Sequence, residues 1–199
     1  MYMTKQQIMN QLAERNNGFL LTSDVVTAGI SKTYLAEYVK KFNFERVAQG
    51  IYMSEDAWLD ELYIIQLRSK EAVFSHETAL YLHGLMEREP SCTTLTVNRT
   101  YNATHLRKRG YKIYTASSEL LNLGKTTIET NYGNQVMVYD MDRTLCDIIR
   151  CRDKMDVQVF QTAMKEYMRN SSKNLTNLMK YARILGIEET VKMYVEVML

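Results

Sequence analysis

The sequence predicts an α+β protein: an N-terminal winged helix-turn-helix, then a mixed α/β part with a small, largely antiparallel sheet and several C-terminal helices. Three observations predict it. Three helical segments and a hairpin follow one another within the first 55 residues. Four β-rich runs lie between residues 93 and 140. From residue 143 onward, apolar residues recur at helical spacing.

Taken in order, Thr4 can cap a first helix, with Gln7 as its reciprocal partner three residues on. Ile8, Leu12 and Ala13 follow at helical spacing, and Asn16-Asn17-Gly18 ends the run. A second short helix starts at Thr22 or Ser23, takes in Val25 and Val26, and breaks at Ala28-Gly29. Ser31 caps a third, with Leu35 and Val39 apolar and Lys40-Lys41 in the last turn, where cations suit the helix dipole. Phe44–Val47 and Ile51–Met53 read as strands joined by Ala48-Gln49-Gly50.

Residues 56–70 read as one long helix with Trp58, Leu62 and Ile65 on one face. Residues 74–85 read as another, capped by Ser75 and ended by Gly84. Runs 93–99 and 111–115 alternate as strands do, and runs 126–130 and 135–140 flank a turn at 131–134. Four helices follow, over 143–152, 157–170, 174–185 and 188–198. No internal repeat is visible. A division near residue 55 is expected, giving a DNA-binding domain over 1–55 and a second domain over 56–199.

The bulk composition bounds the rest. With 199 residues, 46% of them hydrophobic, the chain can build two compact cores. One proline, eight glycines and no long polar tract argue against disorder. The net charge of +2 is uneven. Residues 1–55 carry 6 Lys/Arg against 5 Asp/Glu, residues 56–142 carry 9 against 11, and residues 143–199 carry 10 against 7. The three cysteines, Cys92, Cys146 and Cys151, form no CxxC and fit no zinc site, so reduced thiols are expected. The N-terminus is amphipathic, unlike a signal peptide, and no stretch reaches the roughly 18–20 apolar residues of a membrane span. A cytoplasmic protein without membrane partner, cofactor or metal is expected.

The third helix carries the clearest functional signal. The major groove admits one α-helix, whose N-terminal side chains reach base edges. Here those are Ser31, Lys32, Thr33 and Tyr34. Lys32 can reach guanine or phosphate, and Ser31 and Thr33 can bond either. Tyr34, Tyr38, Lys40 and Lys41 are placed to grip the backbone, and Arg46 and Gln49 lie where a wing would meet an adjacent groove. The alternative is a protein-interaction module whose charges are simply solvated.

Catalytic patterns are weak, and no catalytic residue is assigned. His76 and His83 are seven apart, whereas a helical zinc site prefers i, i+4. No glycine elbow accompanies Ser75-His76. Asp140, Asp142 and Asp147 could hold a metal, but Asp142 reads as a helix cap and Asp147 as the partner of a neighbouring arginine. A metal-dependent or histidine-based enzyme is therefore the lesser alternative. The C-terminal helices are rich in Met, Tyr and basic residues, a composition that suits either a core with a solvated face or an adaptable partner surface.

Three segments together resemble a known family. They are Arg46-Val47-Ala48-Gln49-Gly50-Ile51-Tyr52 closing the first helices, Ser75-His76-Glu77-Thr78-Ala79-Leu80-Tyr81-Leu82-His83-Gly84-Leu85, and Val138-Tyr139-Asp140 leading into Arg143-Thr144-Leu145-Cys146-Asp147-Ile148-Ile149. The chain resembles AbiEi-type antitoxins of type IV abortive-infection toxin–antitoxin systems over essentially its whole length. The resemblance implies a bifunctional antitoxin. Its winged helix would repress its own operon, usually at inverted repeats in double-stranded DNA; the short, modestly basic wing calls for two protomers or two sites there. Its C-terminal domain would counter a nucleotidyltransferase-type toxin, with no stable complex required. The basic C-terminal segment makes Lys165, Arg169, Lys180 and Arg183 the candidate antitoxin surface.

Overall fold

The structure is a computed structural model and describes residues 3–198. It is an α+β protein of two compact units. The first runs to Arg68 and includes Asn131–Asn134; the second comprises Ser69–Thr130 and the chain from Gln135 onward. The first unit thus extends past the expected boundary near residue 55, because the segment after it packs on the first unit's own core.

In the first unit the order is α1 (Lys5–Arg15), β1 (Phe19–Leu21), α2 (Thr22–Thr27), α3 (Lys32–Lys41), β2 (Glu45–Ala48), β3 (Ile51–Met53) and α4 (Glu61–Arg68). Thr4 and Gln7 close the expected capping box on α1. The three strands form an antiparallel sheet in the order β1-β3-β2. β1 is buried at all three positions, so it shows no alternation, and three residues are too few to show a period. Its Leu20 joins Met9, Val25, Ile30 and Leu35 in the helical core. Phe19 and Leu21 point the other way, with Ile51, onto Tyr63, Ile64 and Leu67 of α4. Phe19 meets Tyr63 edge to face, 5.3 Å between centroids.

α4 begins at Glu61, not at residue 56. Asp60 accepts from the Tyr63 N–H at 3.0 Å and fixes the start. Trp58, expected to share a helix face with Leu62 and Ile65, precedes the helix and is 74% exposed. The Asn131–Asn134 turn belongs to the same unit: Asn17 donates to Gly133 O at 3.2 Å and to Asn134 Oδ1 at 2.9 Å, and Asn134 donates to Asp60 Oδ2 at 2.8 Å.

The second unit contains β4 (Val73–Phe74), α5 (His76–Leu82), β5 (Thr94–Asn98), α6 (Thr104–Arg107), β6 (Lys112–Ala116), α7 (Ser118–Asn122), β7 (Lys125–Glu129), β8 (Gln135–Tyr139), α8 (Met141–Cys151), α9 (Val157–Arg169), α10 (Leu175–Ile184) and α11 (Glu188–Met198). The sheet order is β6-β5-β4-β8-β7. β4 runs antiparallel to β5 and parallel to β8, β5 is parallel to β6, and β7–β8 is the expected hairpin. Phe74 belongs to β4 instead of opening a helix, since its backbone pairs with Leu95 and Val138. Ser75 sits at the N-cap of α5 without capping it. Its hydroxyl lies 3.0 Å from His76 Nδ1 and accepts from Thr96 Oγ1 at 2.8 Å.

α8 is the central element, buried from Asp142 through Ile149. Leu145, Cys146, Ile148 and Ile149 share a core with Ala163, Met164 and Tyr167 of α9, Leu178 and Ala182 of α10, and Val191 of α11. The expected cap is displaced by two residues: Asp140 accepts from the Arg143 N–H at 2.7 Å. Asp142 is buried instead, accepting from Tyr167 Oη at 2.7 Å, Asn177 Nδ2 at 2.9 Å and Asn174 N at 3.2 Å. Asp147 takes the expected arginine partner, Arg143, at 3.0 Å. Among the described residues no helix is long and apolar enough to cross a membrane.

Arg143 is seated against Gly124, whose φ is +72°. A Cβ there would lie 2.5 Å from Arg143 Cβ. Gly124→Ala is expected to lower stability by about 2–4 kcal/mol, from left-handed strain and overpacking together. Gly133→Ala, with φ +80° and open space around it, should lose only the conformational part. Urea midpoints of the two variants test the difference.

Candidate nucleic-acid interface

In the first unit, Ser31 is the N-cap of α3 and its hydroxyl accepts from the Tyr34 N–H at 3.2 Å. A hydroxyl used this way has only its own proton and one lone pair left for another partner. Lys32 and Thr33 follow and are exposed, as are Ala36, Glu37, Lys40 and Lys41. Lys32, Ala36 and Lys40 recur at four-residue spacing and so lie along one line of the helix. Between two lysines, a single methyl group leaves room for the helix to approach a surface closely. Sequence reasoning passed over Ala36, although that spacing was its signal. Glu37 lies on the exposed part of the same helix and opposes an anionic partner.

The structure divides the expected contacts. Tyr38 is 6% exposed, packed in the core, and its hydroxyl donates to Asn10 Oδ1 at 2.6 Å. Its ring lies 4.5 Å from that of Phe42. Tyr38 therefore holds α3 to α1 and is removed from the set of backbone-gripping residues. The three-residue step from Leu35 turns its side chain inward. Tyr34 is half-buried, with Lys5 Nζ 5.7 Å above its ring, which brings a cation of α1 beside α3. Lys41 lies 5.2 Å over the Phe42 ring.

Arg46 stands opposite Tyr52 in the β2–β3 ladder, and the register shifts between Arg46 and Ala48. The turn is tied down where Thr22 N donates to Gly50 O at 2.8 Å. Arg46 and Gln49 are exposed on this anchored hairpin. Among the described residues no ion pair engages Lys32, Lys40 or Arg46. An anion meeting these cations would displace only water and counter-ions.

The candidate residues of the second unit lie on two helices, Lys165 and Arg169 on α9, Lys180 and Arg183 on α10. Arg169 pairs with Glu166 at 3.3 Å and Arg183 with Glu188 at 2.9 Å. Lys165 and Lys180 are exposed. The two histidines of α5 and its C-cap have separate partners. The His76 ring stacks on Tyr114 at 3.5 Å, and His83 Nε2 lies 2.6 Å from Tyr139 O. The three cysteines are free.

No family model matches the chain, and no curated protein matches it either. Among solved structures it is similar to the RV2827C protein from Mycobacterium tuberculosis, at 8% identity and a TM-score of 0.47, covering 93% of this chain and 76% of that one.

Since Tyr38 is a core residue, Tyr38→Phe is expected to cost about 1 kcal/mol of stability through the lost hydrogen bond to Asn10. Any DNA affinity of the chain, measured by gel shift well below the melting temperature, should be unchanged. A tenfold loss of affinity in the folded variant would return Tyr38 to the interface.

Proposed function

We propose that this chain is an antitoxin that also represses its own operon, with residues of the first unit reading operator DNA as a winged helix-turn-helix. The order helix, strand, helix, helix and hairpin supports that reading. The observation that carries it is the N-terminal face of α3. Lys32 and Thr33 are exposed at its first turn, Ala36 leaves clearance behind them, and among the described residues Lys32 has no ion-pair partner. Those are the positions from which a recognition helix contacts base edges in the major groove. Arg46 and Gln49 on the anchored hairpin supply the wing's phosphate or minor-groove contacts. The first unit carries 7 Lys/Arg against 8 Asp/Glu, a net of −1, so two protomers on an inverted repeat would be needed for tight binding.

The antitoxin part of the proposal is supported by the sequence resemblance. The second unit would counter a nucleotidyltransferase-type toxin, and the exposed Lys165 and Lys180 are its first candidates for contact. The paired Arg169 and Arg183 would have to leave their glutamates to take part.

Gel shifts on the DNA upstream of the chain's own operon test the first part. Lys32→Ala or Thr33→Ala should weaken the preferred site by about 1–3 kcal/mol and relax the sequence preference. Lys40→Ala should weaken all sequences alike and lower the slope of log K against log salt by about 1 per protomer. No shift at low salt with folded protein would overturn DNA binding and leave the protein-interaction alternative. A second prediction separates the two functions in the full chain. The Lys32→Ala/Lys40→Ala variant should lose repression of a reporter while still rescuing cells that express the toxin. Loss of rescue by a folded, normally expressed variant would refute the separation.

A further inference from the structure

Within the second unit a cavity of about 190 Å³ opens beside the start of α5 and the end of α8. Its lining is unusual in charge. Arg99, Arg143 and Arg150 face it against a single carboxylate, that of Asp147, leaving a net of +2. His76 adds no charge near neutrality, because burial, helped by the cations Lys112, Arg143 and Arg150, pushes it down to about 3.

The three arginines are held to different degrees. Arg143 is fixed: Nε donates to Asp147 at 3.0 Å and Nη1 to Leu120 O at 2.7 Å and Leu123 O at 2.9 Å. Its Nη2 takes no part in these bonds. Arg150 is half in solvent and reaches Asp147 only at 3.9 Å. Arg99, just beyond β5, is exposed; its backbone N–H donates to Ala116 O at 2.9 Å, and among the described residues its guanidinium has no ion-pair or hydrogen-bond partner. One wall is the flat pair formed by Tyr114 and His76, stacked within 10° of parallel. His76 is held there with φ +48°, a conformation that costs a non-glycine residue on the order of 1–3 kcal/mol.

We infer that this cavity is a binding site for a phosphate dianion, either inorganic phosphate or the phosphoryl head of a nucleoside monophosphate. One buried, hydrogen-bonded guanidinium and two exposed ones provide the forked donors that phosphate oxygens match. The net charge of +2 balances a dianion better than a single carboxylate would. The size sets the class further. The cavity is several times the roughly 30 Å³ of one water molecule, yet below the roughly 300 Å³ at which pockets enclose whole small molecules. It takes the charged head and leaves any nucleoside outside. This site lies wholly in the second unit and stands apart from the DNA-binding proposal.

Isothermal titration of the full-length protein with inorganic phosphate and, separately, with AMP tests the site. Saturable 1:1 binding is expected. Arg99→Gln and Arg150→Gln should each weaken it on the order of tenfold or more, as expected for a lost bond to a charged group. Both residues are exposed, so the fold should survive, which circular dichroism can check. Arg109→Gln, an exposed arginine outside the cavity, should leave binding unchanged. Tighter binding of AMP identifies a nucleotide as the source, and equal binding identifies free phosphate; both support the site. No saturable binding at millimolar phosphate overturns it. So does an equal loss in Arg109→Gln, which would mean diffuse attraction to a basic surface.

Discussion

A buried guanidinium needs a counter-charge and hydrogen-bond acceptors around it, and the second unit is built around one. Arg143 is 2% exposed. Asp147 one turn further along α8 supplies the counter-charge, and the end of α7 supplies two carbonyl oxygens that have no partner within that helix. The Tyr139 ring lies 4.3 Å below the guanidinium carbon. Removing one partner of such a buried pair costs about 3–5 kcal/mol, far more than the pair itself contributes. Its value is therefore positional. One side chain sets where α7, β8 and α8 meet.

The neighbouring carboxylates continue the same logic. Asp140 caps α8 and also accepts from Tyr181 Oη of α10 at 2.9 Å. Asp142 gathers Tyr167 of α9 and both Asn174 and Asn177 at the start of α10. Apolar packing among Leu145, Ile148, Ile149 and their partners would tolerate several arrangements of these helices. Directional bonds from two fixed carboxylates admit few. The C-terminal helices are thus hung from the N-terminal end of α8.

In the first unit the two faces of one helix differ. The inner face of α3 holds Leu35 and Tyr38 in the core, which fixes its orientation without using the exposed face. The outer face is then left with Lys32, Thr33, Ala36 and Lys40, presented on a rigid support. Glu37 on that helix limits how uniformly basic it is.

The sequence by itself determined the long periodic elements. The capping box at Thr4, the third helix with its basic last turn, the hairpin at 131–134 and the amphipathic helices after residue 143 are all local, and local chemistry makes them. It also determined which side chains stand at the first turn of α3. Tertiary structure alone decided the rest. β1 and β4 are short and buried throughout, so no alternation marks them; they are strands because distant segments bond to them. Whether Tyr38 grips a phosphate or fills a core depends on Asn10 and Phe42 being there to receive it. Asp140 and Asp142 are equally good caps in sequence, and the choice fell to Asp140 because α9 and α10 claim the other. The cavity joins Arg99, just beyond β5, to Arg143 and Arg150, seven residues apart on α8; only the fold brings the two segments together, so no local pattern links them.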